Sequence, residues 1–319
     1  MSPVAANRRG ILAMLAAMAL FIANDTLVKL ATATYPPGQV MAVRGVFASA
    51  FALALVLARG ETRRIATIAG PVVLLRAVFE ASVAVLFITT LGKLPLANLT
   101  AIMQATPIMM TACTVVLGIE RVGWRRWTAI LVGFAGVLLI VRPTLSGFNL
   151  YAGLALAAAA LVTCRDLATR WIGDTVPTVV VTLSTTTTVA LCGALLGTQE
   201  VWHPLAWREV GFLAGAAVLV TLGNIGIVMA FRGVEISVVS PFRYSIILFS
   251  IGLGLVVFDE LPDAISGAGI LLIVLSGVYA IHRQRVRERE AAADKTFPAE
   301  APSVLPHPIG EPAKRIELP

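Results

Sequence analysis

Charge is scarce in this chain: Asp, Glu, Lys and Arg make up 13% of its 319 residues, where a soluble domain carries about 25%. Histidine and cysteine are scarcer still, with three of each. His203, His282 and His307 fall in a loop, at the end of an apolar run and in the tail, so no metal-ligand spacing is available. Cys113, Cys164 and Cys192 all sit inside apolar runs, where they pack as small apolar side chains and imply no disulfide framework. No GxxxxGK[ST] loop occurs and no polar segment is long enough to hold a nucleotide, which excludes an ATP-driven pump. A metal triad, a paired-carboxylate site and a nucleophile with its base are also missing. That argues against the rival class of a multi-span enzyme working on lipid-linked substrates; the other rival is a non-transporting membrane scaffold, and no cofactor is expected.

Apolar residues are what the chain has instead: 58% of it is hydrophobic and the mean hydropathy is +0.87. Long apolar stretches recur near residues 10–32, 38–58, 69–91, 97–118, 125–142, 149–170, 177–198, 209–231, 236–258 and 264–282. Each is close to the roughly 20 residues a helix needs to cross a hydrocarbon core. The expectation is an all-α polytopic membrane protein of ten transmembrane helices. The first run is an anchor rather than a leader, because it exceeds a signal h-region of about 7–15 residues and holds Asp25 and Lys29.

Basic residues fix an orientation. With both termini cytoplasmic, that side collects Arg8, Arg9, Arg59, Arg63, Arg64, Arg121, Arg125, Arg126, Arg170, Arg232, Arg283, Arg285, Arg287 and Arg289, against Lys93, Arg142 and Arg208 opposite. The positive-inside rule therefore calls for an even number of spans. It also accounts for the net charge of +7, leaving no nucleic-acid partner to invoke. Trp124, Trp127, Trp171, Trp202 and Trp207 fall near span ends, where an aromatic belt belongs. Residues 283–319 are charged and proline-rich, the composition of a disordered cytoplasmic tail, and residues 1–9 form a short cytoplasmic lead.

An internal repeat is legible. A shift of 141 lays Leu20 on Leu161, Asp25 on Asp166, Lys29 on Arg170 and Pro36 on Pro177; a shift of 140 lays Glu120 on Glu260. Residues 10–143 and 149–282 thus read as two copies of five spans, and an odd number per copy makes them inverted. The segments GIERVGWRRWTAILVGFAGVLLIVRP and VVSPFRYSIILFSIGLGLVVFDELPDAISGAGILLIVLSGVYAI carry a family likeness. In them the chain resembles the EamA-type drug/metabolite transporter superfamily, with Glu120, Gly133, Gly136, Arg142 and Pro143 matching the glutamate, glycine spacing and Arg-Pro of its pattern. The resemblance implies inverted repeats, cytoplasmic termini in a plasma (bacterial inner) membrane and a central cavity for a small organic solute. FIANDTLVKL, PFRY and FDELPD look similar to segments of S-adenosylmethionine uptake carriers.

Charges inside the spans are the candidate machinery, since each costs roughly 2.5–3.5 kcal/mol to insert without a partner or a cavity. Asp25 with Lys29, Arg76 with Glu80, and Asp166 with Arg170 stand at i,i+4 and can neutralise one another. The repeat makes Asp25 and Asp166 symmetry mates, so both pairs are candidates for gating or ion coupling. Arg44 and Arg243 have no local acid, and a guanidinium suits a carboxylate or phosphate. A solute with an anionic group is the inference, the alternative being pairing across helices. Arg243 and Tyr244 follow Pro241 in span nine, Gln104 precedes Pro107 in span four, and Asn224 lies in span eight; together with Arg44 these are the expected solute-binding residues.

Overall fold

The computed structural model describes residues 3–116, 124–141, 149–169, 171–172, 176–231 and 239–296. Among these, the regular elements are helices and short 3-10 turns, with no strand. In chain order they are α1 (Pro3–Thr32), α2 (Pro37–Ala58), a 3-10 turn (Glu61–Ala69), α3 (Pro71–Leu91), α4 (Leu96–Met103), α5 (Thr106–Val116), α6 (Trp124–Val141), α7 (Leu150–Thr169), α8 (Thr178–Gly197), α9 (Trp207–Phe231), a 3-10 turn (Ser240–Tyr244), α10 (Ser245–Phe258) and α11 (Ala264–Thr296).

Proline punctuates this order. Pro37 and Pro71 open α2 and α3, and Pro95 and Pro177 immediately precede α4 and α8. At a helix start the missing N–H is no loss, because the first N–H groups lack a partner in any case. The stop of α2 is equally local: Gly60 follows it with φ at +68°, a conformation that a residue without Cβ adopts freely.

Among the described residues, five helices are long and apolar enough to cross a bilayer: the α1 segment Arg8–Thr32, α2, α3, α7 and α8. Shorter apolar helices cover Ile130–Val141, Phe242–Phe258 and Ala264–Tyr279. Leu195, Leu248 and Val256 turn 70% or more of their surface outward. So much exposed apolar surface suits lipid, not water. The five tryptophans stand exposed at helix starts or in connections, where amphipathic rings anchor a membrane protein.

Packing follows four main pairs, α1 with α9, α2 with α8, α3 with α7 and α6 with α11. Small residues set two of these contacts. A Cβ on Gly193 would lie 2.5 Å from the backbone nitrogen of Ala42, and Gly136 and Gly269 each sit where a Cβ would meet the other's carbonyl, at 2.7 and 2.6 Å. Lipid gives no hydrophobic reward for helix association, so such close backbone approach supplies the attraction. At one end the α1–α2 turn is zipped to the α8–α9 connection. Gln39 exchanges hydrogen bonds with the His203 backbone, the Tyr35 hydroxyl accepts from Ala206 N–H, and the Glu200 carboxylate accepts from Gly38 N–H at the start of α2.

One expectation changes. The run at 97–118 is not one helix: α4 stops at Met103 and α5 begins at Thr106. Pro107 has no N–H for the Met103 carbonyl, and the Thr106 hydroxyl donates to that oxygen instead, at 2.7 Å. The last helix also runs past the final apolar stretch: α11 continues to Thr296 through Arg, Glu and Ala, which are strong helix formers.

Candidate functional site

Six intramembrane charges come together from four helices. Arg165 of α7 donates from Nη1 to Glu80 of α3 at 2.6 Å and from Nε and Nη2 to its neighbour Asp166 at 2.9 and 2.7 Å. Arg76 of α3 donates to the hydroxyls of Thr169 (2.9 Å) and Thr185 (2.7 Å) on α7 and α8. Arg44 of α2 lies within electrostatic reach of Asp25 of α1 and of Glu80, with no hydrogen bond to either. Asp25 accepts a 2.8 Å hydrogen bond from Asn24. Three arginines thus face three carboxylates, and the array runs from α1 through α2 and α3 to α7.

A second polar centre lies where α1 and α10 end. Lys29 Nζ is 2.6 and 2.8 Å from the two oxygens of Glu260 and 2.9 Å from the Leu94 carbonyl, and it stands 4.6 Å from the centre of the Phe258 ring. Glu260 also accepts from Leu96 N–H, at the start of α4, at 3.2 Å.

These contacts correct the expected pairing. Lys29 is held by Glu260 rather than Asp25, Glu80 by Arg165 rather than Arg76, and Asp166 by Arg165; Arg170 lies outside the described residues. The physical reason is the medium. An exposed i,i+4 pair contributes about 0.2–0.5 kcal/mol, whereas a partly buried pair on neighbouring helices is attracted through a lower dielectric. Long side chains therefore reach across the interface. The excess of cation read from the sequence shrinks accordingly, because Arg44 faces acids of two other helices and Lys29 has its own.

The remaining candidates divide. Arg243 is exposed, on the 3-10 turn that opens into α10. Tyr244 is buried at 7% exposure, with its ring against Gly277 of α11. Gln104 is half-buried at the end of α4, in the interruption before α5. Asn224 is exposed on α9 and donates to the Val220 carbonyl of its own helix. Cys164 is exposed on α7 and not packed inside.

Sequence reasoning passed over Glu260 as anything but a repeat marker, and over Thr169 and Thr185. A glutamate at the end of an apolar run reads as interfacial. Only the left-handed turn at Asp259 (φ +54°) brings Glu260 back toward α1 and α4. The weak signal available was Lys29 itself, a lysine deep in an apolar run that had to find an acid.

Comparison with known proteins follows the same line. Residues 8–142 match the EamA-like transporter family. The pseudopaline exporter CntI of Pseudomonas aeruginosa is 29% identical over 275 residues, which cover 84% of this chain and 94% of that protein. A riboflavin transporter of Vibrio cholerae is 27% identical over 59% of this chain and 63% of its own length. An S-adenosylmethionine uptake transporter of Rickettsia prowazekii is 23% identical over 60% of this chain and 65% of its own length. A solved crystal structure, 23% identical, superposes with a TM-score of 0.58 over 88% of this chain and 98% of that one, a likeness of fold. An EamA-like transporter domain therefore covers residues 8–142 of this integral membrane protein, and the relatives it resembles are metabolite transporters, not enzymes.

Proposed function

We propose that this transporter is a secondary carrier that moves a small organic metabolite with an anionic group, such as an amino acid or S-adenosylmethionine, by alternating access. Ten spans in two inverted halves, residues 10–143 and 149–282, would rock against each other in a bacterial inner membrane with both termini cytoplasmic.

The observation that carries this reading is the array of Asp25, Arg44, Glu80, Arg165, Asp166 and Arg76 joining helices of both halves. Arg44 is the ligand-facing member, since a guanidinium that faces carboxylates without hydrogen-bonding them keeps its donors for a solute. Arg243, exposed on its 3-10 turn, is the other cation offered to an anionic solute. Gln104 and Asn224 shape the path, and Tyr244 braces the turn against α11. Asp25, with a single hydrogen bond from Asn24, is the carboxylate best placed to couple an ion, with Asp166 as its symmetry mate.

Two further observations support the inverted halves. Exchanging the halves leaves the packing pairs unchanged: α1 with α9 becomes α7 with α3, while α2 with α8 and α6 with α11 map onto themselves. The interruption at Gln104 in α4–α5 and the turn ending at Tyr244 before α10 are 140 residues apart, the repeat offset. Interrupted helices at matching positions of two halves mark a transporter's binding region.

The test is flux in proteoliposomes across a panel of amino acids, nucleoside-containing metabolites and flavins, with the direction of the imposed gradient reversed in parallel. A solute that raises the melting temperature by mass action and is carried by the wild type but not by Arg44→Ala supports the reading. Stabilisation and flux by neutral solutes alone, unaffected by Arg44→Ala, would falsify the anionic-group assignment.

A further inference from the structure

We infer that Glu260 is a gating residue, and that its contact with Lys29 is a latch that shuts the end of the bundle where α1 and α10 terminate. The inference rests on the alternating-access reading and names the group that holds one access closed.

The latch is fully made. An ammonium has three donors and no acceptor; Lys29 Nζ meets both Glu260 oxygens and the Leu94 carbonyl, and the Phe258 ring adds a cation–π contact. Glu260 uses its other capacity on Leu96 N–H, at the positive end of α4. One ion pair therefore ties the end of α1, the α3–α4 turn, the first residue of α4 and the end of α10. Its charges are all spoken for, so it offers a solute no vacant donor. It differs in this from the Arg44 region.

The elements it ties are the ones able to move. Span four is interrupted at Gln104–Ala105, so the short α4 can tilt as a unit, and α10 begins at a 3-10 turn. α1 packs along α9 and α10, so its tie to the start of α4 runs through this pair. The Glu260 side chain keeps 31% of its surface accessible while Lys29 keeps 8%. Water reaches the carboxylate first, which lowers the cost of separating the pair from the open side.

The experiment uses full-length protein with Cys113, Cys164 and Cys192 replaced by Ala and a single reporter, Ala97→Cys, on the buried first turn of α4. In right-side-out vesicles, a membrane-impermeant maleimide should label the reporter slowly. Adding Glu260→Gln should raise the labelling rate about tenfold, a shift of about 1.4 kcal/mol in the closed-to-open equilibrium, and the reversed pair Lys29→Glu with Glu260→Lys should restore protection. Unchanged labelling in Glu260→Gln overturns the inference. So does a reversed pair no better protected than the single variant.

Should Glu260→Gln fail to assemble, Lys29→Cys with Glu260→Cys joined by a short bis-methanethiosulfonate gives the second arm. Joined protein should keep a reporter at Ala97 closed to reagent and carry no solute, and reduction should reverse both; a joined protein that labels like the unjoined one overturns the latch. Labelling needs no knowledge of the solute. A latch that passes this test in a protein that carries nothing would leave the gate standing and sink the transport reading.

Discussion

Two polar centres lie in the apolar bundle, and they differ in what they leave over. At the Lys29–Glu260 end every strong donor and acceptor has a partner within 3.2 Å. In the array around Arg44 the charges balance, yet Arg44 faces Asp25 and Glu80 without hydrogen-bonding either. On the proposed reading the saturated pair fixes geometry, and the unsaturated Arg44 is left to meet the solute.

The largest expected effect comes from Arg165, the one member of the array that bonds two carboxylates. Arg165→Met strands Glu80 and Asp166 between α3 and α7, and a loss of about 3 kcal/mol is expected, at the low end for a broken buried pair because its members keep some solvent contact. Thermal unfolding in detergent should show it as a large fall in melting temperature. A stable Arg165→Met would erase the distinction between this part of the array and Arg44.

Arg44→Ala should do the opposite, with flux reduced about tenfold or more and the melting temperature nearly kept. If stability falls and flux per folded molecule does not, Arg44 holds and does not bind. Asp25→Asn should have a smaller effect: exchange of solute across the membrane continues, while accumulation against a gradient falls by about threefold or more. Comparing exchange with net uptake in the same vesicles checks this. Asn224→Ala, whose amide donates only to its own helix, should change flux by less than about twofold. A larger loss would bring α9 into the binding region.

Several helix starts were legible in the sequence. Pro37, Pro71, Pro95 and Pro177 stand where helices begin, because a missing N–H is harmless only there. Glycine at Gly60 marked a stop. Pro107 held the information that span four is interrupted, but an unbroken apolar run hid it. Tyr244 read as a pocket residue because a hydroxyl at membrane depth needs a reason; what the sequence did not show is that Gly277, with no side chain, leaves room for its ring.

By itself the sequence determined the class, the approximate helix starts and the set of charges within the spans, since each follows from local chemistry: hydrocarbon thickness, proline's absent donor and the insertion cost of an ion. Which charge met which was decided by the tertiary structure alone. In a low-dielectric bundle a lysine or arginine pairs with the nearest acid in space, and the turn at Asp259 and the packing of α3 on α7 made those acids Glu260 and Glu80, not the neighbours one helical turn away.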